Sequence, residues 1–146
     1  MLDRRSMIGS GLALTATAVA AAQPRTAAPA AHGMPGMSLD ECADDCLASY
    51  RMCLQTARYA LEPRGSRLPP SLTALLLDCA SVCHATASSL LLRSPQHALL
   101  CDACARMCET CADECAGTAS DEQLMRCSQT CRDCATSCRS MTMTAG

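Results

Sequence analysis

Cysteine is the residue type through which this chain is equipped to do chemistry. The 146 residues include fourteen cysteines but neither Trp nor Phe. Two runs of cysteines advance by steps of three and four residues: Cys101, Cys104, Cys108, Cys111 and Cys115, then Cys127, Cys131, Cys134 and Cys138. Such steps keep successive side chains on one face of an α-helix. The pattern predicts helices that carry thiols where an ordinary bundle carries Leu and Ile, which indicates a container for a soft metal ion.

Disulfide bonds are the first alternative use for so many cysteines. Neighbours one helical turn apart have Cβ atoms about 5–6 Å apart, whereas a disulfide needs about 3.8 Å. Bonds within one helix are therefore disfavoured, and bonds between helices would crowd one another in a narrow core. A disulfide-stapled structural bundle stays open as an alternative.

Metal binding suits the spacing better. Two metal–sulfur bonds of about 2.3 Å span roughly 4.6 Å between sulfurs, close to what cysteines one turn apart present. Thiolates select Cu(I), zinc and iron–sulfur clusters, but the iron–sulfur spacing is absent and zinc usually takes closed sites built on turns. The row favours multiple Cu(I) ions that share ligands. Because each ion cancels the charge of one buried thiolate, we expect on the order of one copper per cysteine; a zinc or cadmium sequestering protein is the alternative.

Helix-capping and helix-breaking residues in the sequence predict the helices that position these thiols. Ser38 with Glu41, and Ser120 with Gln123, have the spacing of a capping box, and Ser94-Pro95 is typical of a helix start. Four helices are predicted: 38–61, 69–93, 94–117 and 120–141. Short connections between helices of this length predict an all-α, antiparallel up-down-up-down four-helix bundle with a cysteine-lined core.

The inward stripe extends through all four helices. The remaining cysteines lie on it in the first two: Cys42, Cys46, Cys53, Cys79 and Cys83. Ser49, Thr56 and Thr86 occupy equivalent positions on those helices. Antiparallel stacking then predicts one continuous tube of fourteen thiols, with leucines at its base and His97 and Met141 at its mouth.

The first residues have the composition of an export signal. Arg4 and Arg5 precede a weakly apolar run from Met7 to Ala22, which resembles a twin-arginine signal over residues 1–22, with a plain secretory signal as the alternative. Residues 23–37 are predicted to be a flexible linker, followed by the copper-binding bundle over 38–142. We therefore expect an exported, periplasmic protein without a stable membrane anchor after cleavage. His32, Met34, Met37 and Met143 are further candidates for contact with copper on its way in.

Composition and motifs argue against other classes. A net charge of -2 without a basic cluster argues against nucleic-acid binding. The chain has no Glu-x-x-His pair for a di-iron site, no glycine-rich phosphate loop and no Ser/His/Asp set, so we expect no enzyme.

The two cysteine runs and the N-terminal segment resemble an exported member of the bacterial four-helix-bundle copper storage proteins. The resemblance covers about Ser38 to Met141. It implies a homo-oligomer, a tetramer, in which core cysteines hold many Cu(I) ions, and it implies partners that are copper donors or chelators and a downstream copper enzyme. His97 and Met141 match the His or Met residues that the family places at one end of the bundle. The second helix departs from the pattern, since it has only Cys79 and Cys83.

Overall fold

Four α-helices make up the part of the chain that the structure, a computed structural model, describes: residues 36–65, 68–118 and 120–143. They are α1 (Leu39–Tyr59), α2 (Pro70–Leu91), α3 (His97–Ala116) and α4 (Glu122–Met143). The predicted export signal (1–22) lies outside the described residues, as does the predicted linker (23–37) apart from Gly36 and Met37.

Each helix packs against two neighbours, so that the four form a closed ring: α1 with α2 and α4, and α3 with α2 and α4. Short turns join consecutive helices, which is the geometry of an up-and-down bundle. The predicted all-α four-helix bundle with a cysteine-lined core is confirmed.

Side-chain caps mark the starts of α1 and α4, whereas α2 and α3 begin without one. Ser38 caps α1 as predicted: its Oγ accepts from the Glu41 N–H (3.1 Å), and its own N–H donates to Glu41 Oε2 (2.7 Å). At α4 the cap is one residue later than predicted. The Leu124 N–H donates to Asp121 Oδ1 (3.1 Å), and Gln123 instead donates to Thr56 Oγ1 (2.9 Å). The Gln123 side chain is therefore bound to α1 and does not form the predicted capping box over 120–123.

The α2–α3 turn is fastened to the start of α1. Arg93 has a φ of 55°, a left-handed conformation that is uncommon for a residue with a side chain. Its guanidinium Nη2 lies 2.7 Å from Asp40 Oδ2. At the other end of the bundle the α1–α2 turn needs glycine, because a Cβ at Gly65 would lie 2.2 Å from the Tyr59 carbonyl oxygen.

The outer faces carry the charges. Arg106 pairs with Asp102 one turn away (3.0 Å), and Arg139 of α4 reaches Glu109 of α3 through both Nε and Nη2, each at 2.5 Å. By length and composition alone α2 could cross a membrane. Its inward side chains, however, form part of the bundle core, since Leu76, Cys79 and Cys83 are fully buried.

Candidate metal centre

Sulfur replaces hydrocarbon along the axis of the bundle. All fourteen cysteines are completely buried, and all are free of disulfide bonds. They extend as one column through all four helices: Cys42, Cys46 and Cys53 from α1, Cys79 and Cys83 from α2, Cys101, Cys104, Cys108, Cys111 and Cys115 from α3, and Cys127, Cys131, Cys134 and Cys138 from α4. The small alanines beside them, such as Ala43, Ala105 and Ala112, are also fully buried and let the helices approach closely.

The sulfurs lie at distances that suit a shared metal ion and not a covalent bond. Cys46 and Cys138 are 3.5 Å apart across α1 and α4, and Cys104 and Cys134 are 3.9 Å apart across α3 and α4. A disulfide needs about 2.05 Å, whereas two ligands of one ion stand up to about 4.6 Å apart. Small movements of these side chains would therefore bring the sulfurs to a common ion.

The column divides into overlapping ligand sets. Five groups have all of their sulfurs within 4.8 Å of one another: Cys46, Cys104, Cys134 and Cys138; Cys83, Cys104, Cys108 and Cys134; Cys42, Cys101 and Cys138; Cys53, Cys79, Cys111 and Cys131; and Cys111, Cys115 and Cys127. Each of the fourteen cysteines belongs to at least one group. Cys104 and Cys134 belong to two groups each, as do Cys138 and Cys111. Such sharing suits clusters with bridging thiolates, since Cu(I) tolerates few ligands per ion and prefers soft sulfur.

Three buried hydroxyls lie on the same inward stripe as the cysteines of α1 and α2. Thr56 and Thr86 donate to carbonyl oxygens one turn back, those of Met52 and Val82 (2.8 Å each). Ser49 differs. Its Oγ lies 3.5 Å from Cys131 Sγ and 3.7 Å from Cys108 Sγ, so its hydrogen-bonding partners are sulfurs.

Hydrogen bonds among the thiols set their acidity. The hydrogen bond with Cys108, together with burial, raises the pKa of the Cys79 thiol above its ordinary value. Hydrogen bonds from Cys111 and Cys127 lower the pKa of the Cys115 thiol to about 4. The column thus holds sulfurs that keep their protons beside sulfurs that lose them readily, and metal binding requires the thiolate form.

The two ends of the column differ in chemistry. At one end Leu72, Leu76 and Leu124 are buried, and at the same end Gln123 of α4 donates a hydrogen bond to Thr56 of α1. Leu90 and Met141 are buried at the opposite end, where His97 is half-buried.

His97 stands apart from the thiols. Its Nδ1 lies 2.7 Å from the Ser94 carbonyl oxygen. Because a carbonyl can only accept, Nδ1 is the donor in this hydrogen bond, and Nε2 is the nitrogen through which His97 could bind a metal ion. His97 belongs to none of the five ligand groups found among the described residues. His84, by contrast, is exposed and stacks on Tyr50, with ring centroids 5.2 Å apart.

Residues 36–143 match the family described as copper storage protein, a range that contains every residue the structure describes. The chain belongs to the copper storage protein family. No curated protein matches the chain.

Three solved structures share the fold, and two of them are described as copper storage proteins. A copper storage protein from Streptomyces lividans, described as cytosolic and solved with five coppers, is 31% identical, covering 74% of this chain and 94% of that one with a TM-score of 0.68. A Cu(I)-bound copper storage protein is 28% identical over 69% of this chain and 94% of the other, with a TM-score of 0.65. A protein of Nitrosospira multiformis is 33% identical over 73% and 95%, with a TM-score of 0.65.

The description of the Streptomyces lividans protein as cytosolic contradicts the predicted export to the periplasm. That prediction depends only on the composition of residues 1–22, in which two arginines precede a run rich in Ala, Gly and Thr. A copper storage protein described as cytosolic shares this fold, so the fold does not support export.

Proposed function

We propose that this chain stores multiple Cu(I) ions inside its bundle, held by the fourteen core cysteines and reaching on the order of one copper per cysteine. The observation that carries this proposal is the set of overlapping groups of buried, unbonded thiols, with sulfur neighbours 3.4–4.0 Å apart. Solved relatives described as copper storage proteins, one of them Cu(I)-bound, support the choice of metal. The family is described by storage and not by catalysis.

Zinc is the metal against which the proposal is tested. Zinc favours closed sites of four ligands, and three of the five groups offer four sulfurs. Two of those three share Cys104 and Cys134, so only two four-sulfur sites can be filled at once. Cu(I) avoids this limit because its clusters share thiolates.

An anaerobic titration of the reduced protein with Cu(I), and separately with Zn(II), measures both capacities by native mass spectrometry. Storage predicts many Cu(I) ions per chain, far beyond the two closed zinc sites. Saturation with one or two Cu(I) ions would contradict storage. Alkylation in denaturant of the metal-free protein, isolated under reducing-agent-free conditions, tests the disulfide-stapled alternative, since storage predicts fourteen reactive thiols.

Copper uptake is proposed at the end that carries His97 and Met141. The support is chemical: Nε2 of His97 and the thioether of Met141 are soft or borderline ligands, whereas buried leucines line the opposite end. His97→Ala is expected to slow Cu(I) uptake without lowering the final capacity. His84→Ala is the matched control, because His84 is exposed on the outer face of α2. Equal uptake rates in wild type and His97→Ala would move the point of uptake elsewhere.

Self-association is part of the proposal. Leu77 of α2 and Leu99 of α3 are 46% and 70% exposed, which gives the outer surface apolar area that a second copy could cover. A homo-oligomer, a tetramer by resemblance, is expected in sedimentation at micromolar concentration, and a strictly monomeric species would contradict it. Copper donors or chelators are the proposed partners, and a copper enzyme is the proposed recipient.

A further inference from the structure

The five ligand groups fall into two sets that share no cysteine. Three groups combine into an upper compartment of eight cysteines toward Met141: Cys42, Cys46, Cys83, Cys101, Cys104, Cys108, Cys134 and Cys138. The other two combine into a lower compartment of six cysteines toward Leu124: Cys53, Cys79, Cys111, Cys115, Cys127 and Cys131. Groups in the same compartment share cysteines, whereas groups in different compartments share none.

The boundary crosses all four helices at one level. On α2, α3 and α4 the last upper cysteine and the first lower cysteine are only one turn apart: Cys83 and Cys79, Cys108 and Cys111, Cys134 and Cys131. On α1 the corresponding cysteines are Cys46 and Cys53, seven residues apart. Two turns of helix rise by about 10 Å, more than twice the roughly 4.6 Å that two sulfurs on one ion can span.

Ser49 occupies the position on α1 where that boundary lies. Its Oγ is 3.7 Å from Cys108 of the upper compartment and 3.5 Å from Cys131 of the lower one. A cysteine thiolate at this position would lie within reach of ions in both compartments. A hydroxyl does not bind them, since it stays protonated at neutral pH and is a hard ligand that Cu(I) disfavours.

We propose that Ser49 divides the stored copper into two pools, one of eight and one of six thiolates, which are joined by sulfurs of α2, α3 and α4 but not of α1. This inference rests on the proposed storage function and concerns how that store is organised. Sulfurs approach one another across the boundary, as Cys79 and Cys108 do at 3.7 Å, and ions pass from one pool to the other through such contacts. Exchange of Cu(I) between them needs no redox step, because one thiolate replaces another on the same ion.

The test compares wild type with Ser49→Cys, which supplies the missing sulfur, and Ser49→Ala, which removes the hydroxyl without supplying one. Both side chains are close to serine in size, so the bundle is expected to fold. Ser128→Cys is the matched control. Ser128 is also buried, but it donates to the Ala112 carbonyl oxygen (2.9 Å) and not to sulfur.

The readout is the location of copper at partial loading. The protein is loaded anaerobically to half of its measured Cu(I) capacity, and copper-free thiols are trapped by a short pulse of alkylating reagent in denaturant. Cleavage after arginine then gives two peptides from α4: residues 127–132 carry Cys127 and Cys131 of the lower compartment, and residues 133–139 carry Cys134 and Cys138 of the upper one. Each peptide reports one pool.

Two pools predict unequal protection of the two peptides in wild type, Ser49→Ala and Ser128→Cys, and equal protection in Ser49→Cys. Release to an excess of Cu(I) chelator is expected in two phases, with amplitudes in the ratio eight to six, and in one phase for Ser49→Cys. Equal protection in wild type, or a Ser49→Cys profile identical to wild type, overturns the division while leaving storage intact if the capacity is high. A wild-type capacity of one or two ions overturns storage itself.

Discussion

Cys83 on α2 and Cys108 on α3 place their sulfur atoms 3.4 Å apart in the buried axis of the bundle, without a disulfide bond between them. Packing alone does not explain this contact, because an aliphatic side chain would fill the same space and bury more apolar area. Thiols in this arrangement can act as ligands of a metal ion, and the ion supplies the positive charge that compensates buried thiolates.

Cys108 is expected to help bind more than one Cu(I) ion. Its sulfur lies within 4.0 Å of those of Cys79, Cys83 and Cys104. Cys115 belongs to a single three-sulfur group at the end of the column. Cys108→Ser should therefore lose more Cu(I) than Cys115→Ser, as measured by the number of ions retained in native mass spectra. Equal losses would mean that thiolates do not bridge ions at Cys108.

Copper affinity is expected to fall as the pH is lowered. Hydrogen bonds with Cys108 and Cys104, together with burial, raise the pKa values of the Cys79 and Cys134 thiols respectively, so both keep their protons at neutral pH. Cu(I) must displace those protons. Each proton released weakens binding about tenfold for every unit by which the pH falls. Chelator competition at several pH values measures the slope, and uptake in weak buffer measures the acid released; a flat profile would contradict protonated thiols.

Much of this site could be predicted from the sequence, because residue spacing along an α-helix determines the face on which each side chain lies. Steps of three and four residues placed the cysteines of α3 and α4 on one face, and four antiparallel helices of similar length leave few ways to combine those faces. Ser49, Thr56 and Thr86 were placed on the same stripe for the same reason. The spacing signal is strong here because it repeats over several turns.

Other features depended on tertiary contacts that spacing does not encode. Asp121 caps α4 because Gln123 is drawn to Thr56 on α1. The partition into two compartments depends on sulfur–sulfur distances between helices, although the seven-residue gap between Cys46 and Cys53 was visible in the sequence. His97 is directed to the Ser94 carbonyl, a contact that depends on the shape of the α2–α3 turn.

Leu124→Ala is expected to destabilise the metal-free protein by about 2–4 kcal/mol, since it removes a fully buried side chain at the base of the core. The core has few other large side chains to fill the cavity, because thiols occupy most inward positions. Leu99→Ala, at a 70% exposed position, is the control and should change little. Urea unfolding under reducing conditions measures both. Similar stability of the two variants would argue against a packed leucine base.

Arg93 offers a test of strain against ion pairing. Its left-handed φ of 55° costs about 1–2 kcal/mol for a residue with a Cβ, whereas its exposed pair with Asp40 contributes little, because solvent screens it. Arg93→Gly loses the pair but relieves the strain, whereas Arg93→Ala only loses the pair. The glycine variant should therefore unfold at higher urea concentration than the alanine variant. The reverse order would show that the loss of backbone freedom at glycine dominates.

Removal of copper is expected to cost the bundle much of its stability. The fully buried side chains of the core are largely Cys and Ala, with Leu76, Leu90 and Leu124 the largest among them, so hydrocarbon burial is modest for four helices. An ion bound only by the folded state at about 1,000 times its Kd adds about 4 kcal/mol, which for a domain of this size raises Tm by roughly 10–20 °C. Unfolded cysteines also bind Cu(I), which makes the observed shift smaller.

Anaerobic thermal unfolding followed by circular dichroism, at increasing copper per chain, should show Tm rising until the cysteines are filled. Zn(II) is the comparison, and its effect should stop once two closed four-sulfur sites are occupied. A Tm that does not respond to Cu(I) would mean that the sulfur column holds no metal in the folded protein.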